Sequence, residues 1–496
     1  MNENKTVVII GAGVAGIATS VFLAKKGYKV NVYEKNPSPG GRCSHLSLEG
    51  HRFDLGASIF LMPDIYRKVF AAMGLDLDKT LETTPLTDIY TLYFGDGTRF
   101  SFTTDRERMK EQLEAIEPGS YKQFQTYVSR GYGFFKVALT ELLGRNYYNI
   151  FQFITFRNLA VLLKVKTYLS HMFYISRFFK DRHLKIAFTF QNIYVGQNPL
   201  TAPALFAMLP AAELSEGSLY PKGGMYGIVD KLLETARGLG VEFFCDAPVV
   251  RIETDKNRAT GITLEDGTYI PADIVVANAD LPYVYRALLP GRCHTAHLER
   301  LKYSCSAISF HWALDKQYPQ PGLHGVFMSL DYEGNLNKIF RDKSVTADPS
   351  FYLYSPVTID PSAAPEGQDS LSVVVPAGHI HRKNEKEWAQ IKQMVRAGVI
   401  ARLKKEGMED IEEHIKFEIC YLPKTWETGV NVVRGSVFGS ISHNIFQMGF
   451  FRPHNRHARY KNLYFAGGST HPGNGVPLVL MSAQLTTQRI EKEMSK

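Results

Sequence analysis

The residues with the clearest chemical meaning are three glycines near the start of the chain, Gly11, Gly13 and Gly16. A buried-strand sequence, TVVII, precedes them, and a helical pattern follows. The first glycine permits a tight turn, the second lets a diphosphate approach the backbone, and the third lets the helix pack on the strand. Glu34 ends the next predicted strand and can accept hydrogen bonds from ribose hydroxyls. The pattern predicts a dinucleotide site; the alternative is an ordinary turn with three incidental glycines.

A second group of candidate binding residues follows within the next 25 positions. The run PGGR contains Gly41 and Arg42, and FDLGAS covers residues 53–58. An arginine guanidinium can neutralise a phosphate as a bidentate donor. Arginine is also commonly exposed, so a surface side chain in a glycine turn is the alternative.

The most specific stretch is KNLYFAGGSTHPGNGVPLVLMSA, at residues 461–483. It predicts a strand over 463–466, a glycine-rich turn, and a helix that begins near Pro477. The N–H groups and dipole of such a helix can meet an electron-rich ring edge. His471 is a candidate catalytic residue, because its ordinary pKa suits proton exchange near neutrality. Its alternative role is a hydrogen bond to the backbone.

Together these segments resemble a family of flavoproteins. PGGR and FDLGAS resemble the GG motif of the amine-oxidase and phytoene-desaturase superfamily. THPGNGVP, at 470–477, resembles the C-terminal signature of bacterial carotenoid desaturases, and FGSISHNIFQMGFFRPHNRH, at 438–457, matches their Gln and Arg-Pro pattern. The resemblance covers both termini well and is thin over 60–220 and 285–435, the stretches that choose the substrate.

The resemblance implies FAD as the cofactor. In such proteins the arginine lies near the diphosphate, and the Gly-Ala-Ser segment lies against the isoalloxazine ring. It also implies contacts at Val249, Val250 and Asn278, although simple sheet packing explains either valine equally well. The residues expected to contact FAD are Gly11, Gly13, Ala15, Gly16, Glu34, Lys35, Gly41, Arg42, Gly56, Ala57, Ser58, Ile59, Val249, Val250, Asn278, Gly468, Ser469, Gly475, Val476 and Pro477.

Bringing these segments together requires a chain that returns repeatedly to one sheet. At 496 residues the chain is too long for one ordinary core. We expect an α/β fold with a Rossmann-like FAD-binding lobe of the amine-oxidase/phytoene-desaturase type, a mixed-sheet substrate domain and a helical, membrane-facing region. The expected divisions are 1–60, 223–285 and 436–496 for the FAD-binding domain, 61–130, 195–222 and 286–435 for the substrate domain, and 131–194 for the helical region.

The resemblance further implies a desaturase that removes two hydrogens from adjacent carbons of a carotenoid, with hydride transfer to flavin N5. No side chain can accept hydride, so the cofactor must carry this chemistry. We favour 3,4-desaturation of a 1-hydroxycarotenoid, because GASIFLMPDIYRKVF and the aromatic-basic segment 147–190 resemble that branch. The alternatives are dehydrogenation of phytoene, neurosporene or diapophytoene, a redox-neutral carotenoid isomerase, a flavin amine oxidase, and a noncatalytic flavin- or lipid-binding protein.

The charge pattern bears on the partners of the chain. A formal net charge of +8 suits nucleic acid, an anionic membrane or an anionic cofactor. Residues 136–190 interleave Lys and Arg with aromatic residues, which is typical of a phospholipid interface, and a solvated helical face is the alternative. No export signal or convincing spanning helix is present in the sequence. We therefore expect a peripheral protein on the cytoplasmic face of the cell membrane, without a nucleic-acid partner and with no indication of oligomeric state.

The five cysteines favour a reducing compartment. They are odd in number and widely spaced, and no CxxC pair occurs, which argues against a disulfide framework. The run CHTAH, at 293–297, offers metal-ligand types but lacks a second ligand cluster. We expect no metal site.

Overall fold

The computed structural model describes residues 5–291, 295–380 and 385–494. Its nucleotide-binding part is built on a parallel five-stranded sheet, the nucleotide sheet. TVVII forms the central strand, because its β-branched side chains are buried on both faces. The strand order is Glu242–Phe244, Lys29–Tyr33, Thr6–Ile10, Ile274–Ala277 and Leu463–Phe465. The sheet thus gathers strands from the start, middle and end of the chain; the domain boundaries themselves stay a prediction.

A second, seven-stranded mixed sheet, the large sheet, contains Phe351–Tyr354 and Asp369–Ala377 among its strands. The turn FGDGTRF, at residues 94–100, joins its last two strands. Helix Glu385–Lys405 packs on this sheet through its buried apolar residues, as the helical spacing of that segment indicates. The strand order is Ile415–Tyr421, Ser306–Leu314, Asp369–Ala377, Phe351–Tyr354, His324–Phe327, Asp88–Tyr93 and Arg99–Thr103.

Three smaller antiparallel sheets complete the strand content of the described residues. Their strands are Val249–Asp255, Arg258–Leu264 and Tyr269–Pro271; His45–Leu48 and His51–Asp54; and Phe60–Leu61, Ser218–Pro221 and Thr83–Leu86.

The helices cover the nucleotide sheet and build a separate helical region. Val14–Ala24 packs against both Val476–Met494 and Tyr226–Gly238, which brings the two ends of the chain together. The other helices are Pro63–Ala72, Leu77–Thr80, Arg106–Ile116, Ser120–Val137, Phe156–Lys164, His171–Ile175, Arg182–Ala187, Met208–Glu216, Leu281–Tyr283, Thr295–Arg300, Tyr332–Phe340, Glu385–Lys405 and Pro423–Val430.

Helix Ser120–Val137 is the main helix of the helical region. It packs on Met208–Glu216 and continues without a break into a π-helical turn, Ala138–Leu143. π-Helical turns occur frequently at functional sites. Among the described residues, the structure has no helix with the length and apolar character needed to cross a bilayer.

Candidate functional site

A cavity of about 710 Å³ is lined by residues of the nucleotide sheet, the large sheet and the helical region. Polar groups and glycine turns form one part of its lining, and apolar side chains form another. Eighteen of the twenty residues expected to contact FAD belong to this lining, namely Gly11, Gly13, Ala15, Glu34, Lys35, Gly41, Arg42, Gly56, Ala57, Ser58, Ile59, Val249, Asn278, Gly468, Ser469, Gly475, Val476 and Pro477. The tertiary structure therefore collects sequence segments more than 400 positions apart around one space.

The first glycine turn directs backbone N–H groups toward the cavity. Gly11 has a φ of +94°, which residues with a side chain rarely adopt. Gly13 is the extended N-cap of helix Val14–Ala24, and no side chain accepts from the first N–H groups of the helix. These donors and the helix dipole suit an anion. Glu34 accepts a hydrogen bond from the Ala12 N–H at 2.8 Å, which holds its carboxylate at the cavity edge.

Arg42 joins the N-terminal turns to the C-terminal signature. Its guanidinium donates to the Val437 carbonyl at 3.2 Å, and a Cβ built on Gly468 would lie 2.9 Å from Nη2. Burial lowers the pKa of Arg42, while Asp280 raises it, and the guanidinium keeps its charge. A Cβ on Gly56 would lie 1.9 Å from the Arg42 carbonyl oxygen, so this crossing requires glycine. The remaining guanidinium N–H groups are suited to a phosphate.

Asn278 lies between the N-terminal and the C-terminal glycine-rich segments and contacts both. Its Nδ2 donates to the Ala466 carbonyl at 2.9 Å, and a Cβ on Gly13 would lie 2.9 Å from its Oδ1. Within the described residues, that Oδ1 is buried without a hydrogen-bond partner. Gly475, with a φ of +91°, then leads into helix Val476–Met494, whose first turn lines the cavity. A second helix N-terminus is thereby directed at the same space.

A buried positive charge lies behind the C-terminal turn. Arg452 is 1% exposed and donates to the carbonyls of Thr470 at 2.8 Å and Ile441 at 3.3 Å. Burial and the charge of Arg42 together lower its pKa to about 9, so the side chain is protonated at neutral pH. Asp280 is the carboxylate that opposes these two guanidinium groups. The excess of positive charge favours an anionic ligand.

Three of the sequence-predicted residues do not line the cavity. A Cβ on Gly16 would lie 2.2 Å from the Gly11 carbonyl oxygen, so this glycine serves helix–strand packing. Val250 is 43% exposed, because successive strand residues point to opposite faces. His471 is buried; its Nε2 lies 3.0 Å from the Arg145 carbonyl oxygen, and burial lowers its pKa to about 4. The structure thus gives His471 a hydrogen bond to the backbone and no position on the cavity wall.

A large apolar part of the lining, here called the apolar wall, was not identified from the sequence. Apolar contact requires no fixed residue spacing, so no motif marks these positions; the helical pattern of 135–143 was the available signal. The wall comprises Leu61, Met62, Phe135, Ala138, Leu139, Leu142, Leu143, Phe153, Leu162, Phe190, Ile193, Val195, Leu205, Phe206, Met208, Leu209, Val326, Met328, Leu336, Ile339, Phe351, Ile445, Phe446, Met448 and Phe451.

A few polar groups interrupt the apolar wall. The Ser58 and Tyr352 hydroxyl oxygens lie 2.8 Å apart, and the Tyr352 hydroxyl also lies 2.8 Å from His324 Nδ1. Burial lowers the pKa of His324 to about 3, so its ring is neutral. On helix Tyr332–Phe340, the Tyr332 hydroxyl and Asn335 Oδ1 are buried without partners in the described part of the chain. The two side chains share a helix face because they are three residues apart.

The described residues contain no group of three or more His, Cys, Asp or Glu side chains arranged to hold a metal ion. Cys293 and His294, of the CHTAH run, lie outside the described residues. The four described cysteines, Cys43, Cys245, Cys305 and Cys420, are free thiols.

Comparisons with known proteins agree with this geometry. A family model described as flavin containing amine oxidoreductase matches residues 14–491. The chain is 39% identical to a zeta-carotene-forming phytoene desaturase of Myxococcus xanthus, over 98% of this chain and 94% of that protein. It is 33% identical to a 4,4'-diapophytoene desaturase (4,4'-diaponeurosporene-forming) of Staphylococcus aureus strain Newman, over 99% of both. A putrescine oxidase structure shares the fold, with a TM-score of 0.65 at 15% identity over 99% of both chains.

The fold, the cavity and the family match define an FAD-dependent oxidoreductase. More narrowly, the chain belongs to the carotenoid desaturase family of flavin oxidoreductases. The predictions of this family, of FAD, and of a Rossmann-like lobe joined to a mixed-sheet part are confirmed. The cavity fits the cofactor: the uncapped N-terminus of helix Val14–Ala24, the first turn of helix Val476–Met494 and Arg42 suit the diphosphate and the electron-rich ring edge, and the unpartnered Asn278 Oδ1 can accept a donor.

Proposed function

We propose that the protein desaturates an acyclic carotenoid. One observation carries the proposal: a single cavity is lined both by the polar groups and glycine turns expected to bind the flavin and by the apolar wall. A hydrocarbon polyene offers no polar handle, so it must be held by apolar contact over its length. The curated relatives, whose names describe phytoene and diapophytoene desaturases, support the same substrate class.

Bound FAD supplies the two-electron acceptor that no side chain can provide. The chain's own contribution is positioning: the apolar wall restricts how the polyene lies and excludes water from the reacting carbons. The buried positive charges of Arg42 and Arg452 would favour an anionic cofactor held in this cavity. The described lining contains no Ser-His-Asp arrangement, and dehydrogenation requires none.

Within the family, the phytoene-type acyclic carotenes are our first substrate candidates, because the relatives carry those names. A 1-hydroxycarotenoid that undergoes 3,4-desaturation is the second candidate, and one feature favours it. The unpartnered Tyr332 hydroxyl and Asn335 Oδ1 offer a donor and an acceptor to a substrate hydroxyl inside an otherwise apolar wall. For such a substrate, Tyr332→Phe should raise KM by about tenfold, the value of one hydrogen bond, and leave hydrocarbon substrates unchanged.

The test is anaerobic incubation of the flavin-loaded protein with phytoene, diapophytoene and 1-hydroxylated acyclic carotenoids. The proposal predicts flavin bleaching and a product that is lighter by one hydrogen pair and absorbs at longer wavelength. A product of unchanged mass would instead identify an isomerase. Bleaching by amines, or no bleaching by any polyene, would overturn the proposal.

We also propose that the protein docks on the cytoplasmic face of the cell membrane through an exposed apolar patch. The patch comprises Ile150, Phe151, Ile154, Phe156, Leu159, Leu163, Ile445, Phe446 and Phe451. Its two segments meet where Phe153 packs against Phe451, with ring centroids 5.6 Å apart. Phe446 is 75% exposed and also lines the cavity, so the cavity reaches the surface at this patch. An apolar substrate dissolved in lipid would enter by that route.

Charge around the patch supports an anionic lipid surface as the partner. Arg157, Lys164, Arg177 and Lys180 are exposed on the same stretch of chain, and basic residues favour the anionic inner leaflet. Phe156→Glu, at a residue that is 95% exposed, should abolish sedimentation with anionic vesicles. Leu330→Glu, at an exposed leucine outside the patch, is the matched control and should sediment normally. Equal sedimentation of both variants would rule out this docking surface.

A further inference from the structure

A short segment of the chain reaches the nucleotide sheet from the large sheet. Residues 428–433, here called the strap, begin in helix Pro423–Val430 and continue toward the C-terminal signature. Val430, Asn431 and Val432 line the cavity. The strap falls within 286–435, the stretch that the sequence assigns to the substrate side, and no motif marks it. Its contacts with the nucleotide sheet were therefore not expected.

Both ends of the strap are held by the large sheet. Before the strap, the Trp426 indole N–H donates to the Ala307 carbonyl at 3.1 Å. After it, the Gly435 carbonyl accepts a hydrogen bond from the Ser306 hydroxyl. Ser306 and Ala307 are the first two residues of strand Ser306–Leu314. The strap is therefore a loop that leaves the large sheet and returns to the same strand end.

Three hydrogen bonds join the first part of the strap to the nucleotide sheet. Lys35 Nζ donates to the Thr428 carbonyl at 2.5 Å and to Asn431 Oδ1 at 2.9 Å. Asn36 Nδ2 donates to the Gly429 carbonyl at 3.3 Å. Hydrogen bonds from an ammonium group are stronger than those between neutral groups, so Lys35 makes the stronger attachment.

The other end of the strap is attached two strands away. The Val433 N–H donates to Asp280 Oδ2 at 3.1 Å, and Asp280 follows strand Ile274–Ala277. The first attachment follows strand Lys29–Tyr33, and the central strand Thr6–Ile10 lies between these two. Two strand spacings come to about 10 Å, and six residues of chain can span that distance.

The strap thus crosses the carboxyl end of the central strand, where the first glycine turn begins. Open parallel sheets bind their ligands at this edge, outside the carboxyl ends of the strands. Glu34, at the same edge, also lines the cavity. A dinucleotide bound at the glycine turn would therefore lie between the nucleotide sheet and the strap.

We propose that the strap closes over the bound FAD and that Lys35 holds it closed. Lys35 is a positioning residue, because it acts on the cofactor through the strap and spends two of its three N–H donors there. FAD enters and leaves while the bonds from Lys35 and Asn36 to the strap are broken. These bonds join atoms of the chain itself, so they slow entry as well as exit. A direct contact between Lys35 and FAD would slow exit alone.

The experiment measures both rates in Lys35→Met, which keeps the apolar stem and removes the donors. Release is followed on diluted holoenzyme as free-flavin fluorescence, and uptake as the quenching of FAD added to the deflavinated full chain. Both rates should rise by about tenfold, the value of the lost hydrogen bonds, and the Kd should stay nearly constant. Lys29→Met, at an exposed lysine at the opposite end of the same strand, is the control and should keep both wild-type rates.

A second measurement follows the strap itself in the holoenzyme. Asn431→Gly removes one acceptor of Lys35 and keeps the backbone, because glycine readily adopts the φ of +54° found at this position. In this variant and in Lys35→Met, amide hydrogen exchange of residues 428–433 should quicken by about tenfold. Exchange in strand Ser306–Leu314, to which the strap is anchored, should not change.

Two results would overturn this inference. Faster release with unchanged uptake in Lys35→Met would identify a direct contact with FAD. Wild-type rates in that variant, or strap amides that exchange as in the wild type, would show that Lys35 does not hold the strap closed. Neither result affects the proposed desaturation, because neither measurement involves a polyene.

Discussion

The glycine turns and the apolar wall of the same cavity differ in which atoms meet the ligand. At Gly13, Gly56 and Gly468 the backbone lines the cavity and also packs closely on the chain, and an added Cβ would lie within 3 Å of an atom of Asn278 or Arg42. Along the apolar wall, side chains make non-directional contact, and several residue types of similar volume can serve. Recognition by backbone tolerates almost no substitution, whereas recognition by apolar side chains tolerates many. Cofactor binding and substrate choice should therefore respond differently to mutation.

The largest effect is expected from Gly56→Ala. Its Cβ would lie 1.9 Å from the Arg42 carbonyl oxygen, a backbone atom that cannot move aside. The displaced arginine turn should lower flavin affinity by at least about tenfold, measured as flavin retained after gel filtration. Gly238→Ala, at the exposed end of a helix with no atom within 4 Å of the new Cβ, is the control and should retain flavin. Equal retention in both variants would contradict the backbone-contact account.

A pH-dependent effect on stability, without an effect on the flavin contacts, is expected at Glu213. This carboxyl is fully buried, accepts a hydrogen bond from the Tyr90 hydroxyl at 2.5 Å, and has a pKa raised by burial to about 8. The folded state binds the proton more tightly than the unfolded state, so this contribution to stability is lost as pH rises from about 4.5 to about 8.

In Glu213→Gln the stability should not fall as pH rises, because the amide stays neutral and can still accept a hydrogen bond from the Tyr90 hydroxyl. The variant should match the wild type at pH 5 and exceed it by a few kcal/mol in the free energy of unfolding above pH 8. Denaturant titration across this range is the measurement. Glu234→Gln, at an exposed helix position, should leave the pH curve unchanged. A Glu213→Gln curve parallel to the wild type would contradict the buried, neutral carboxyl.

A third comparison tests close backbone approach outside the flavin site. Gly131 and Gly133 lie on one helix, Ser120–Val137, but a Cβ on Gly131 would lie 2.6 Å from the Ala207 carbonyl oxygen, while one on Gly133 meets nothing within 4 Å. Gly131→Ala should destabilise the protein by about 1–3 kcal/mol. Gly133→Ala should stabilise it by about 0.5–1 kcal/mol, the helix-propensity gain. Thermal unfolding of the two variants is the measurement. A stability change of the same sign in both would contradict the predicted difference between Gly131 and Gly133.

The smallest effect is expected at the apolar wall itself. Leu205→Met preserves volume and apolar character, so it should cost less than about 1.5 kcal/mol in stability and leave flavin content unchanged. The ratio of products formed from two acyclic carotenoids of different length should change, because the wall sets how the polyene lies. A loss of flavin in this variant would contradict the expectation that the apolar wall and the glycine turns respond differently to substitution.

The sequence by itself determined the glycine turns that line one side of the cavity. In these segments, consecutive residues set both the backbone conformation and the chemistry. The segments are TVVII with the glycines that follow it, the turn at Arg42, and the turn before Val476. A diphosphate must approach the backbone closely, and few residue types permit that. For the same reason the family and cofactor could be predicted before the fold was known.

Only the tertiary structure decided the rest. The apolar wall is assembled from side chains between Leu61 and Phe451, and their common property, being apolar, is shared with every core residue. The absence of His471 from the cavity lining has the same origin. His471 is the prominent histidine in the sequence motif, yet chain packing turns its ring toward the Arg145 carbonyl. Which residues share a cavity depends on contacts between distant segments, and no local spacing encodes those contacts.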